Sequence, residues 1–196
     1  MPETDYQYDV FFSYSSDPLN AYWIGKVVER LKFWLTQELG AERPARIFFD
    51  REGIRVGDRW PDAIRDALKT SKCMVGVWSP SYFQSQWCVS EWQSFLARER
   101  LLASTQPCRL IAPIKFHDGE HFPQEARDVQ WEDFSNYTAT ESAFWATQPA
   151  VEFGRVLQRF AASVASLVRN APDFQPDWPA VEAQPVAPPT KALRRL

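Results

Sequence analysis

The feature that most constrains this chain is an alternation of short apolar runs with longer segments of helical periodicity. The apolar runs are rich in β-branched and aromatic residues and occupy positions 8–14, 46–50, 72–78, 109–116 and 128–131. Segments with apolar residues every three or four positions cover 23–35, 61–68, 79–102 and 151–168. Strands that alternate with helices favour a parallel sheet with helices on both faces. The sequence therefore predicts an α/β domain.

The composition changes after Asn170. Six of the 15 prolines lie between Pro172 and Pro189, and the apolar periodicity is lost there. Pro-rich segments of this kind form linkers or disordered tails. We therefore predict one domain over residues 1–170, followed by a linker or tail over 171–196.

Charge and cysteine content exclude several classes of protein. The 22 basic side chains face 25 acidic ones, so binding to nucleic acid through bulk positive charge is not expected. The three cysteines (Cys73, Cys88 and Cys108) include no CxxC pair, which argues against a disulfide framework or a zinc knuckle. The start of the chain has no apolar signal segment, and the longest apolar run, 74–78, is far shorter than the ~20 residues of a membrane span. We expect a soluble, cytoplasmic protein with no membrane partner.

Common catalytic and cofactor motifs are absent from the sequence. No GxGxxG follows a strand, and Gly25-Lys26 is followed by Val27, so there is no phosphate-binding P-loop. His117 and His121 are separated by an Asp-Gly pair, which disfavours a shared helix face for a metal, and two histidines support no Ser-His-Asp triad. The sequence predicts neither a metal nor a bound cofactor.

Three motifs in a fixed order carry the strongest functional information. They read YDVFFSYSSD over 8–17, IFFDR and GDRW over 47–51 and 57–60, and SPSY and SQWCVSE over 79–82 and 85–91. This ordered set resembles the Toll/interleukin-1 receptor (TIR) domain family, and the resemblance covers roughly residues 6–170. It implies a flavodoxin-like fold with a five-stranded parallel sheet in the order 2-1-3-4-5. Ligands of such sheets bind beyond the carboxyl ends of the strands.

Trp87 and Glu91 are four positions apart and therefore project from one face of a helix. In isolation, such a pair is usually a packed ring beside a solvated acid. In NAD-hydrolysing TIR domains, however, a Glu at this position is catalytic and the Trp four residues earlier contacts the dinucleotide. The resemblance thus implies that Glu91 is catalytic in an NAD+ nucleosidase, for which NAD+ is a substrate and not a cofactor. The products would be nicotinamide and ADP-ribose or a cyclic ADP-ribose isomer.

A single carboxylate is sufficient for this reaction. Glycosidases usually need two acids, because one must protonate the departing oxygen. Nicotinamide leaves NAD+ as a neutral base and needs no such acid. One carboxylate near the ribose can stabilise the positive charge that develops on the sugar.

The other candidate residues lie at the ends of the first two predicted strands or in the loop beyond them. The substrate-binding candidates besides Trp87 are Phe12, Tyr14, Ser15, Arg51 and Trp60. Phe12, Tyr14 and Trp60 have an alternative role, because aromatic rings at strand ends often belong to the core. Arg51 could pair with a phosphate of the dinucleotide, or it could be an ordinary exposed loop residue.

The resemblance implies that the loop over 51–59 is the family's BB loop, which contacts neighbouring domains and gates the pocket. Its residues are Arg51, Glu52, Gly53, Ile54, Arg55, Val56, Gly57, Asp58 and Arg59. The loop lacks the Pro-Gly pair of many animal receptor members, which weakens the expectation of receptor-style adaptor pairing. Its glycines and charges nevertheless predict an exposed, adaptable surface for self-association.

Two functions of different classes remain open. The first is an NAD+ nucleosidase that self-assembly activates, with prokaryotic immune defence as its setting and a sensor domain or partner protein joined through the Pro-rich tail. The second is a non-catalytic module that signals by TIR–TIR contacts alone. Glu91 discriminates between them, since a scaffold needs no acid there. A phospho-receiver domain is disfavoured because Ser79 stands where an acceptor Asp is required.

Overall fold

The predicted alternation of strands and helices is confirmed by the structure, a computed structural model that describes residues 5–18, 20–40, 42–49, 62–117, 119–139 and 141–182. The strands in these ranges are β1 (Tyr8–Tyr14), β2 (Ile47–Phe48), β3 (Ser71–Trp78), β4 (Ile111–Lys115) and β5 (Glu132–Asp133). The helices are α1 (Ala21–Leu39), α2 (Asp62–Thr70), α3 (Pro80–Gln84), α4 (Gln86–Leu102), α5 (Gln124–Arg127) and α6 (Gln148–Arg169). Short 3₁₀ helices at Ser135–Tyr137 and Ser142–Ala146 precede α6.

All strand pairs are parallel, and the order β2-β1-β3-β4-β5 confirms the predicted topology. In the central pair, Ser13 of β1 lies opposite Gly76 of β3. Because the strands are parallel, their carboxyl ends meet at one edge of the sheet. We call this the carboxyl-end edge and the opposite one the amino-end edge.

Some predicted boundaries were wrong. The fifth strand lies at Glu132–Asp133 and not at 128–131, because the chain after Pro123 first turns through the short α5. The helical region predicted over 79–102 is two helices, and Ser85 separates them: its Oγ accepts a hydrogen bond from Cys88 N–H at 3.4 Å and so caps α4. Gly40, with φ of 58°, ends α1.

Successive side chains along the strands point to opposite faces of the sheet, so the sheet separates two hydrophobic cores. Val10 and Phe12 of β1 pack in the core formed with α1 and α6, whereas Phe11 packs in the core formed with α2, α3 and α4. On β3, Gly76 leaves room for a neighbouring ring, since an added Cβ would lie 2.8 Å from Trp78 Nε1. The sheet is therefore covered on both faces, as predicted.

Residues 171–182, which we call the strap, lie against the domain, although the sequence predicted a linker or disordered tail there. Trp178 is only 2% exposed. Its Nε1–H donates to the Tyr6 hydroxyl at 3.2 Å, and the N–H of Val181 donates to Ser94 Oγ at 2.8 Å. Residues 183–196 lie outside the described part of the chain, and the domain boundary at 170 stays a prediction.

Within the described ranges, every helix is too short or too polar to cross a bilayer.

Candidate active site

The carboxyl-end edge holds a carboxylate that two hydroxyl groups support. Glu91 lies in the second turn of α4 and is 8% exposed, while Ser13 on β1 is 2% exposed. The Ser13 hydroxyl donates to Glu91 Oε2 at 2.5 Å. The Tyr82 hydroxyl lies 2.9 Å from the same Ser13 oxygen. Three separate elements, β1, α3 and α4, thus converge on one carboxyl group.

Two serine caps bring these elements together. Ser79 directly follows β3. Its Oγ accepts a hydrogen bond from Tyr82 N–H at 3.2 Å, and this bond caps the start of α3. Ser85 then begins α4. A Ser at the N-cap, the residue that immediately precedes the first helical residue, accepts a hydrogen bond from a backbone N–H that would otherwise lack a partner. Glu91, 13 residues after the end of β3 at Trp78, is therefore returned to the sheet edge.

Tyr82 and Cys88 remain protonated beside Glu91. Burial raises the pKa of the Tyr82 hydroxyl well above its usual value, and the negative charge of the nearby Glu91 acts in the same direction. Burial likewise raises the pKa of the Cys88 thiol, whose Sγ lies 3.4 Å from the Tyr14 carbonyl oxygen that accepts its hydrogen bond. Since a thiolate is the nucleophilic form, the protonated Cys88 thiol is not an activated nucleophile.

Trp87 lies in the first turn of α4, one turn before Glu91. Its ring is half-buried against the core of α2, α3 and α4. The positions i and i+4 place it on the same side of the helix as Glu91. The predicted pair is thus brought to one place at the carboxyl-end edge.

Of the substrate-binding candidates on and after β1, one lies in the core and two lie at the end of the strand. Phe12 is 2% exposed and lies in the core of α1 and α6, on the face of the sheet opposite Ser13. Its ring meets Phe49 edge to face, with centroids 5.8 Å apart. Tyr14 and Ser15 are half-buried at the strand's carboxyl end. Substrate contact by these three residues stays a prediction, and the burial of Phe12 does not favour it.

Other predicted site residues lie outside the described part of the chain. They are Arg51, Trp60 and the rest of the 51–59 loop. Their predicted roles in substrate binding and assembly stay predictions. In the described ranges, no group of three or more His, Cys, Asp or Glu residues could hold a metal ion.

Sequence reasoning missed Ser13 and Tyr82 as residues of this site. On β1 the candidates were Phe12, Tyr14 and Ser15, although side chains on a strand alternate between faces. Ser13 is a small polar residue within an apolar run, and that pattern marks a polar contact on one face of a buried strand. The period of two along β1 could therefore have identified it.

The fold and this edge define a class of protein: an α/β domain of flavodoxin-like topology with a polar site beyond the carboxyl ends of its strands. A family profile described as "TIR domain" matches residues 10–147, more than half of the chain. The chain therefore belongs to the TIR domain family, as its three motifs indicated.

Solved TIR domains are similar to this chain at low identity. The TIR domain of the Toll-related receptor TRR-2 from Hydra magnipapillata is 19% identical, with 76% of this chain and 99% of that chain covered and a TM-score of 0.46. The TIR domains of the activated Roq1 resistosome, which recognises the effector XopQ, are 16% identical, with 82% and 84% covered and a TM-score of 0.36. No curated protein matches the chain.

Proposed function

We propose that this TIR domain is an NAD+ nucleosidase with Glu91 as its catalytic residue. The observation that carries the proposal is the position of Glu91 at the carboxyl-end edge, one helical turn from Trp87 and within 2.5 Å of the Ser13 hydroxyl. The family resemblance supports it, because NAD-hydrolysing members have a Glu and a Trp at these positions.

The proposed reaction breaks the bond between the ribose C1′ and the nicotinamide ring nitrogen. The bonding electron pair leaves with nicotinamide, which departs as a neutral base. The positive charge that develops on the ribosyl group is stabilised by the Glu91 carboxylate. Water then adds to C1′ and loses a proton, which gives ADP-ribose. Attack on C1′ by a nucleophilic atom elsewhere in the same molecule, in place of water and with loss of any proton that atom releases, would instead give a cyclic isomer.

A non-catalytic scaffold is the second candidate. The observation that favours it is the burial of Glu91, which is 8% exposed and has a hydroxyl donor of its own. A buried acid with a local donor also suits a purely structural polar contact. In that case the domain would signal only through TIR–TIR contacts.

Self-assembly is the proposed regulator of the enzyme. The family's BB loop contacts neighbouring domains, and in this chain the corresponding residues 51–59 immediately precede α2. An NAD+ nucleosidase that is active as a free chain would deplete the NAD+ of its host. We therefore propose a cytoplasmic enzyme of prokaryotic immune defence that clustering activates.

The deciding experiment compares NAD+ consumption by the wild type and by Glu91→Gln. Gln preserves size and hydrogen bonding but removes the charge, and loss of one preorganised electrostatic group costs about 100- to 1000-fold in rate. Products are separated by chromatography, and light scattering ensures that both proteins are equally assembled. The rate per wild-type chain is expected to rise with protein concentration.

A matched control lies on the same helix. Glu99 has a side chain only 11% exposed and accepts a hydrogen bond from Leu110 N–H at 2.6 Å, near the amino-end edge. Glu99→Gln should therefore keep the wild-type rate. Full activity of Glu91→Gln would disprove the catalytic assignment. An inactive wild type, even when clustered, would favour the scaffold, and a rate per chain independent of concentration would contradict regulation by assembly.

A further inference from the structure

We propose that Ser13 and Tyr82 are positioning residues, which hold the Glu91 carboxylate in place through a directed chain of two hydrogen bonds. The catalytic meaning of this inference rests on the proposed function, but the chain of hydrogen bonds does not. Its links are the 2.9 Å contact between the Tyr82 and Ser13 hydroxyls and the 2.5 Å contact from Ser13 to Glu91 Oε2.

The direction of the two hydrogen bonds follows from the groups at either end, Tyr82 and Glu91. An ionised carboxylate only accepts hydrogen bonds, so the Ser13 proton must point to Glu91. The Ser13 oxygen then has lone pairs to offer, and Tyr82 is a fully buried hydroxyl that retains its proton. Tyr82 therefore donates to Ser13, and Ser13 donates to Glu91. Hydrogen bonds aligned in one direction polarise and strengthen one another.

The hydrogen bond from Ser13 matters because little water can reach the Glu91 carboxylate. Glu91 is 8% exposed, and a buried charge is costly unless hydrogen bonds replace its hydration. A donor to the ionised form lowers the pKa of a carboxyl group. Tyr82 on α3 and Cys88 on α4 are titratable neighbours that face Glu91, and burial keeps both neutral. Ser13 thus helps to keep the carboxylate ionised without adding a competing charge.

Both supporting residues sit on well-anchored elements. Ser13 lies in β1, between β2 and β3 of the sheet. Tyr82 is wholly buried in α3, whose start is fixed by the Ser79 cap. A group held from two packed elements keeps its geometry, and a misplacement of about 1 Å at a reacting centre can cost on the order of 100-fold in rate.

The test measures the titration of Glu91 directly. The protein is labelled with ¹³C at the Glu side-chain carboxyl groups, and the Glu91 signal is assigned by its loss in Glu91→Gln. In Ser13→Ala the titration midpoint of Glu91 should rise by about one pH unit, because the charged form loses its donor. Tyr82→Phe should raise it by less, because Ser13 can still donate.

The control variant is Ser71→Ala. Ser71 is also fully buried in the sheet, but its hydroxyl donates to the Ala67 carbonyl oxygen at 2.6 Å, at the amino-end edge. This variant should leave the midpoint unchanged. An unchanged midpoint in Ser13→Ala would overturn the inference, and if that variant does not fold, an unchanged midpoint in Tyr82→Phe would do so.

Turnover gives a second and separate readout. With an active wild type, kcat of Ser13→Ala should fall about tenfold or more with a smaller change in KM, and the acid limb of its pH profile should move to higher pH. Equal kcat and an equal pH profile would exclude a positioning role in the reaction. If the wild type is inactive while the Glu91 midpoint still shifts, the proposed function fails and the hydrogen-bond chain stands.

Discussion

Two buried carboxylates lie at opposite edges of the sheet, and their surroundings differ. Asp9, at the start of β1, is 1% exposed and lies within 3.0 Å of Arg43 Nη1, 2.9 Å of Arg46 N–H and 3.4 Å of Lys72 Nζ. Burial raises the pKa of Asp9, but these hydrogen bonds and positive charges outweigh burial and leave the pKa below its usual value. Glu91 is held by the neutral hydroxyl of Ser13.

The comparison identifies Asp9 as a structural acid. Its charge is matched by cations of the fold itself, so little of its field remains for a ligand. The Ser13 hydroxyl orients the Glu91 carboxyl group without adding a charge of its own. On the proposed function, Glu91 stabilises the cation that forms in the substrate.

The amino-end edge is also where the strap closes the domain. Arg98 is fully buried there, with its guanidinium 4.8 Å from the Trp178 ring and 4.7 Å from the Phe95 ring. Its Nη1 donates to the Ser71 carbonyl oxygen at 2.8 Å, and its Nη2 donates to that of Leu68 at 2.9 Å. If stability resides at this edge and chemistry at the other, variants should separate the two properties.

The largest expected effect on stability comes from Trp178→Ala. Removing a buried indole leaves a cavity and exposes Arg98, and the free energy of unfolding should fall by about 3–5 kcal/mol in urea denaturation. Turnover per folded molecule should stay at the wild-type value. Phe33→Ala is the control, since that ring is 57% exposed and its loss should cost about 0.5 kcal/mol or less. A parallel loss of turnover would show that the two edges are coupled.

Asp9→Asn should have a smaller and pH-dependent effect. At neutral pH we expect a loss of about 2–3 kcal/mol, because Arg43 and Lys72 lose their buried counter-charge. The depressed pKa of Asp9 means that its stabilisation is present above its ordinary pKa and is lost as the pH falls through the lower, folded-state value. The difference in the free energy of unfolding between the wild type and the variant should therefore begin to shrink below about pH 4 and continue to shrink as the pH falls further.

Denaturation at a series of pH values measures this convergence. Asp62→Asn is the control, since its side chain is 90% exposed and its ion pair with Arg65 lies at the surface. A difference between the wild type and Asp9→Asn that stayed constant down to pH 2 would refute the assignment of Asp9 as a charge-matched acid.

The smallest expected effect is that of Glu182→Lys. Glu182 pairs with Arg65 at 3.4 Å, but its side chain is 76% exposed. Exposed ion pairs contribute little, so stability should change by about 0.5 kcal/mol or less. A loss close to that of Trp178→Ala would show that charge, and not the buried ring, holds the strap.

The sequence was sufficient for the fold because its patterns are local. Strand and helix periods predicted a parallel sheet covered on both faces, three motifs predicted the family, and the resemblance to that family implied the strand order. The polar network was harder to predict, because Ser13 and Glu91 are 78 positions apart and meet only after β1 and α4 pack. The strap was missed for a related reason: its prolines suggested a tail, while Trp178 is buried by partners, Tyr6 and Arg98, that lie far away in the sequence.

The contact between Tyr6 and Trp178 has a consequence for the order of folding. It joins residues 172 positions apart, so it closes nearly the whole described chain into one loop. Loop closure costs more entropy as the loop lengthens, and such a contact forms after the shorter ones have shaped its binding surface. During synthesis, Trp178 is among the last residues of the domain to emerge. We therefore expect Arg98 to stay accessible to water until Trp178 docks.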